Sequence, residues 1–168
     1  LVASLDVIFH YEFVDSLVEL AASSPRALLV SGSEWSELET LPYAPLSKEI
    51  LPGASFACFM IDRRLFEIVG EFDEQFAPAY YEDHDMNRRI TLAGYETCSS
   101  KHALFWHEQS STVRSLDQVE VADVREWINE RLEYNRELYA AKWGGYPGEE
   151  TFLEPYRERR DSSKQTVD

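Results

Sequence analysis

The chain has 168 residues, of which 44% are apolar and 13% aromatic, and its formal net charge is −15. That length supports one domain with a real core, and that composition excludes a disordered chain. The acid excess excludes a nucleic-acid backbone as the main partner, because such binding runs on Lys and Arg neutralising phosphates. No apolar run reaches the roughly 20 residues of a membrane span, and the start carries no signal-peptide pattern. Cys58 and Cys98 lie in apolar runs and read as reduced core thiols, which makes the cytoplasm the expected compartment.

In chain order, residues 1–9 form a loosely alternating apolar run that predicts a buried strand. Leu1 already lies inside that run, so the sequence is expected to begin within a longer protein. Phe13, Leu17 and Leu20 recur at helical spacing. Residues 27–31 are a short continuous apolar run ended by Gly32, a buried-strand pattern. Residues 33–53 are polar and proline-containing, and predict a long loop. A strand follows at residues 54–61, then two turns of helix with Asp62 placed to cap and Gly70 placed to stop. Residues 82–93 predict a helix stopped by Gly94. Residues 96–99 and 104–106 predict two further strands. Residues 117–142 predict a long helix with Val121, Val124, Ile128, Leu132 and Leu138 as its apolar stripe. A Gly/Pro-rich segment with Trp143 as anchor precedes a charged tail, residues 157–168, expected to be disordered. Strands alternating with helices predict an α/β layer domain over residues 1–156.

The densest chemistry lies in "YYEDHDMNRRITLAGY", residues 80–95. Asp83, Asn87 and Ile90 fall on one side of the helix, with Met86 on the same core-facing side. Asp83 therefore sits at the helix N-terminus and points inward. Asp85 reaches Arg88 or Arg89 at i+3 and i+4, a solvated pair worth about 0.3–0.5 kcal/mol. On helix geometry alone, Glu82 and Asp83 are explained by capping and by the helix dipole. Tyr80 and Tyr81 ahead of them make a wall suited to a polar, ring-shaped ligand.

The stretch "FMIDRRLFEIVGEFDEQFAPAYYEDHDMNRRITLAGYET" resembles the acceptor-side half of glycosyltransferase family 2, enzymes of the GT-A fold. Its elements are a strand, an Arg with an apolar neighbour, "GEFDEQF", an aromatic–Glu–Asp triplet, a further Asp, an Arg and "AGY". The resemblance implies a GT-A-like mixed sheet with flanking helices. It also implies inverting transfer of a sugar from a nucleotide-sugar donor to a glycan or other hydroxyl acceptor. Asp83 matches the general base, which takes the acceptor's proton as the new bond forms. Glu82, Tyr80 and Tyr81 are the implied substrate contacts.

The same resemblance continues upstream, where the family carries Asp-x-Asp for a divalent ion on the donor diphosphate. This chain has Ser4-Leu5-Asp6, so only Asp6 carries over. Downstream, "LFWHEQSSTV" places His107 at the position that completes the metal site in some members. The implied ion is Mn²⁺ or Mg²⁺, which suits carboxylate, imidazole and diphosphate ligands. The nucleotide-binding half of the fold would lie upstream of Leu1, on a longer chain or a partner.

Two classes of function stay open on the sequence. One is a glycosyltransferase, or its acceptor-side portion. The other is a non-catalytic carbohydrate-binding or assembly module that kept the fold and lost the donor site, which Ser4 favours. A metal hydrolase would need a two-histidine motif, and His102 and His107 fall on opposite faces of a strand.

Overall fold

The computed structural model describes residues 1–108 and 122–157. These residues form an α/β protein that divides into two compact units. One comprises Leu1–Phe72 and Met86–Ala122, and the other comprises Asp73–Asp85 and the chain from Asp123 onward.

The first unit is built on a mixed six-stranded sheet. Its strands are β1 (Val2–Ala3), β2 (Val7–Phe9), β3 (Ala27–Glu34), β4 (Ile50–Pro52), β5 (Cys58–Ile61) and β6 (Glu96–His107). The order is β1-β5-β3-β6-β2, with β4 also pairing to β6. Only the central β3–β6 pair is parallel. Those two strands carry the buried runs, as expected where both faces of a strand are covered. Helix α1 (Phe13–Ser23) places Phe13, Leu17 and Leu20 against Val30, Cys58, Cys98, Ala103 and Phe105. A second cluster joins Leu28, Leu29, Phe59 and Leu65 to Met86 and Ile90. Leu65 belongs to the short helix α2 (Arg64–Ile68), and Met86 and Ile90 to α3 (Glu82–Leu92).

Several predicted elements differ in extent. Residues 1–9 are not one buried strand. A turn at Leu5 and Asp6 splits them into two short strands, and Leu5 is fully exposed. The two strands expected at 96–99 and 104–106 are one, because β6 pairs β3 on both sides of an irregularity. Gly32 pairs Ser100 and Ser33 pairs Leu104, so Lys101–Ala103 bulge out of the ladder. Gly32 does not end its strand. It lets the bulge approach, since a Cβ there would lie 2.3 Å from the Ala103 carbonyl oxygen and 2.5 Å from the Phe13 ring. The loop expected over 33–53 is largely ordered. A 3-10 turn, Leu38–Tyr43, buries Leu41 beside Ala44 and Leu104, and β4 follows. The predicted strand at 54–61 keeps only its second half as β5.

Cys58 and Cys98 are free, buried thiols, as their apolar setting predicts. Burial pushes the Cys58 thiol up to about 11 and raises that of Cys98. No described helix is long and apolar enough to cross a membrane.

The second unit is organised by helix α4 (Ala122–Trp143). Its buried residues are Asn135, Tyr139, Lys142 and Trp143, spaced i, i+4, i+7 and i+8 on one side. This corrects the predicted apolar stripe: Ile128, Leu132 and Leu138 are only half-buried, while two polar residues are fully enclosed. The predicted residues 117–121 of that helix, the burial of Val124 and the tail from 158 onward lie outside the described residues. At the C-terminal end, Gly144 adopts a left-handed φ of 72° and its N–H bonds the Ala140 carbonyl at 2.8 Å. The chain then folds back, and the N–H groups of Thr151 and Phe152 both donate to the Trp143 carbonyl.

Gly32→Ala is expected to destabilise the protein by about 1–3 kcal/mol, the cost of overpacking. Denaturant unfolding of the variant checks this. Unchanged stability would mean the bulge at Lys101–Ala103 can move aside.

Candidate functional site

The segment Asp73–Asp85 carries most of the predicted site, and four residues of α4 hold it. Lys142 Nζ lies 2.6 Å from Asp73 Oδ2 and 2.6 Å from Asp85 Oδ1, at the two ends of the segment. Asp85 is fully buried and also accepts from Trp143 Nε1 at 2.9 Å. Midway, Asn135 Nδ2 donates to the carbonyls of Phe76, Ala79 and Tyr80 at 2.7, 2.7 and 3.0 Å. The Tyr139 ring packs against Phe76, Tyr81 and His84, and its hydroxyl donates to Glu150 at 2.5 Å.

Burial alone would raise the Asp73 carboxyl. The hydrogen bonds from Lys142 and from the Gln75 backbone outweigh it, and the group lies below the usual carboxylate range. Asp85 is thus not the solvated helix-surface carboxylate predicted from its spacing to Arg88 and Arg89. Its burial against Lys142 and Trp143 makes it part of the internal support. Spacing along one helix cannot show what a distant helix will supply.

Glu82, Asp83, His84, Tyr80, Tyr81 and Leu132 line a cavity of about 250 Å³. All four predicted contacts on this segment therefore meet at one opening. Asp83 is half-buried, and its Oδ1 accepts from the His84 N–H at 2.8 Å. Among the described residues no cation lies within ion-pair reach of it. Glu82 is more enclosed. Its Oε2 is buried with no hydrogen-bond partner among the described residues. Burial raises its carboxyl above the usual glutamate range, and the neighbouring Asp83 charge adds to this. The backbone N–H groups of Glu82 and Tyr80 and the imidazole of His84 oppose the rise. The enclosed Glu82 carboxyl thus favours its proton. Tyr80 and Tyr81 reach this arrangement with φ of 76° and 72°, a region bulky residues seldom occupy. His84, Leu132 and Asn135 were not among the predicted site residues. His84 was visible inside the motif, whereas Leu132 and Asn135 reach it only through the packing of α4.

In the first unit, the structure brings Asp6 and His107 together. Val7 pairs His107 across β2 and β6, and the Glu108 N–H donates to the Asp6 carbonyl. Asp6 at the turn before β2 consequently meets the end of β6. His107 Nε2 lies 3.2 Å from Asp6 Oδ1, both side chains about one-fifth exposed. Two donors at this spacing can share a divalent ion, with the remaining positions left to a ligand. Among the described residues no group of three His, Cys, Asp or Glu side chains is placed to hold one. Of the remaining histidines, His10 Nδ1 accepts from the Glu12 N–H, and His102 Nδ1 lies 2.7 Å from Ser16 Oγ.

Over 100 residues the chain is 27% identical to a galactofuranosyl glycosyltransferase of Leishmania donovani. The aligned stretch covers 54% of this chain but only 23% of that protein. No protein-family model and no solved structure matches. The similarity is distant and partial, and it points towards a glycosyltransferase.

Two outcomes follow from this geometry. Asp85→Ala leaves Lys142 with one carboxylate and Trp143 Nε1 without its acceptor, and should cost about 3–5 kcal/mol, as when a buried pair loses one partner. Urea unfolding measures this, and a loss under 1 kcal/mol would restore the surface reading of Asp85. Glu82→Gln should flatten the pH dependence of stability. The raised carboxyl contributes stability that is fully present below its unfolded pKa of about 4.3 and is lost as pH rises through the folded value. The variant's melting temperature should therefore gain on the wild type between pH 4 and pH 8. A constant offset across that range would count against the burial of Glu82.

Proposed function

We propose that this chain carries the acceptor side of an inverting glycosyltransferase of GT-A type, with Asp83 as the general base. The observation that carries this reading is the contrast between Asp83 and Asp85. Asp83 opens on the tyrosine-walled cavity and has no cationic partner among the described residues, whereas Asp85 is sealed against Lys142 and Trp143. A base must be ionised and within reach of the hydroxyl it deprotonates. Tyr80 and Tyr81 would stack on a sugar ring, and Glu82 would hold a hydroxyl beside the reacting one.

Asp6 and His107 would hold Mn²⁺ or Mg²⁺, with donor diphosphate and water as the remaining ligands. Such an ion would stabilise the charge developing on the leaving nucleotide diphosphate. The distant relative's name makes a galactofuranosyl nucleotide the first donor to try. The match spans under a quarter of that relative, so its donor comes to this chain as a proposal.

Ser4, standing where a metal-binding Asp would be, supports a second reading: a carbohydrate-binding module without transfer. Release of UDP from a panel of UDP-sugars, UDP-galactofuranose among them, separates the two when measured with the full-length protein, Mn²⁺ and methyl glycoside acceptors. The transferase reading expects release that EDTA abolishes. It also expects Asp83→Asn to lower turnover by about 10²–10⁴-fold with donor binding unchanged. Wild-type turnover in Asp83→Asn would refute the base assignment.

A further inference from the structure

We propose that Asn135, which lines no part of the cavity, is the positioning residue that sets Asp83, by fixing the backbone of Tyr80 and Tyr81. The proposal rests on the transferase reading for what Asp83 does. The geometry of the support stands independently of it.

Asn135 is fully buried on α4. Its three partners are all backbone carbonyls, which only accept, so its amide nitrogen must face them. The cost of that orientation is visible, because Oδ1 is left buried without a donor among the described residues. One NH₂ group therefore gathers the carbonyls of Phe76, Ala79 and Tyr80 around a single point.

The Tyr80 carbonyl belongs to the peptide plane between the two left-handed residues, with φ of 76° and 72°. Side chains other than Gly, Asn and Asp rarely take this conformation, and two in succession persist only where the surroundings impose them. Asn135 holds the carbonyls on both sides of Tyr80's own φ,ψ pair: that of Ala79 before it and that of Tyr80 after it. The next residues are Glu82 and Asp83, the first turn of α3, where the Tyr81 carbonyl accepts from the Asp85 N–H. Turning the Tyr80–Tyr81 plane would swing the helix start and carry the Asp83 carboxylate with it. A misplacement of about 1 Å at a reacting group costs on the order of 10²-fold in rate. Lys142 ties the ends of the segment at Asp73 and Asp85. Asn135 grips the backbone immediately before the carboxylates.

The test uses the full-length protein with UDP-galactofuranose, Mn²⁺ and methyl β-galactofuranoside, and adds a readout independent of activity. NMR couplings that report φ should show Tyr80 and Tyr81 left-handed in the wild type and shifted to negative φ in Asn135→Ala. Turnover in that variant should fall about 10–100-fold, with the donor KM changed less than threefold, at a temperature well below its melting point. Added to Asp83→Asn, the same change should cost nothing more, because the group it positions is already gone. A merely structural role would lower activity in both backgrounds. Asn135→Ser, which keeps one donor, serves if Asn135→Ala does not fold, and should show a smaller loss. Retained left-handed φ in the folded variant, or wild-type turnover, overturns the proposal. An active wild type with Asp83→Asn inactive and Asn135→Ala fully active overturns this inference alone. A wild type that releases no UDP from any sugar of the panel overturns the transferase reading and, with it, the role given to Asn135.

Discussion

One ammonium group tied to two carboxylates is the constraint on which the second unit depends. Lys142 is almost fully buried and bonds Asp73 and Asp85, the first and last residues of the segment that holds the candidate site. Buried charges of this kind add little net stability compared with a well-packed apolar core, but losing one partner is costly. The effect of the tie is positional. The segment has few apolar anchors, chiefly Phe76, so hydrogen bonds and ion pairs define its path. Asp73 also caps the following 3-10 turn through the Gln75 N–H, which links the tie to the local fold.

The same helix supplies the other supports. Asn135, Tyr139, Lys142 and Trp143 line one side of α4 and together reach the middle, both ends and the flank of the segment, Lys142 and Trp143 sharing Asp85. The Gly-rich stretch after Trp143 completes the arrangement. Gly144 and Gly145 leave no room for a Cβ, which would lie within 2.6 Å of Thr151 and Phe152 or within 2.3 Å of the Glu149 carbonyl oxygen. Only glycine lets the chain return along the helix end, where Glu150 accepts from Tyr139. The sequence marks Trp143 as the anchor of this stretch, and the structure shows which carbonyls and hydroxyls the stretch engages.

The sheet imposes a different constraint on the first unit. Antiparallel pairing of β2 with β6 brings Asp6 and His107 together although they lie 101 positions apart in the chain. Register does this without help from either side chain. A one-residue slip of β6 against β2 would turn His107 to the opposite face from Asp6. The bulge at Lys101–Ala103 matters here, because it sets the phase of the second half of β6 and so the side on which His107 emerges.

The sequence by itself determined the α/β class, α1 and α3, and the central strand β3, because apolar periodicity and glycine stops are local signals. It also determined that Tyr80, Tyr81, Glu82 and Asp83 would be neighbours, since four consecutive residues at a helix start cannot separate. Packing alone decided the roles of the two aspartates. The i+3 and i+4 spacing to arginines is the same whether Asp85 faces water or a lysine 57 positions downstream, and only the position of α4 distinguishes them. The long helix misled for a related reason. Its Val and Leu spacing marks an apolar stripe, but the buried side carries Asn135 and Lys142, polar groups that become core residues only once the carbonyls and carboxylates they satisfy are folded against them.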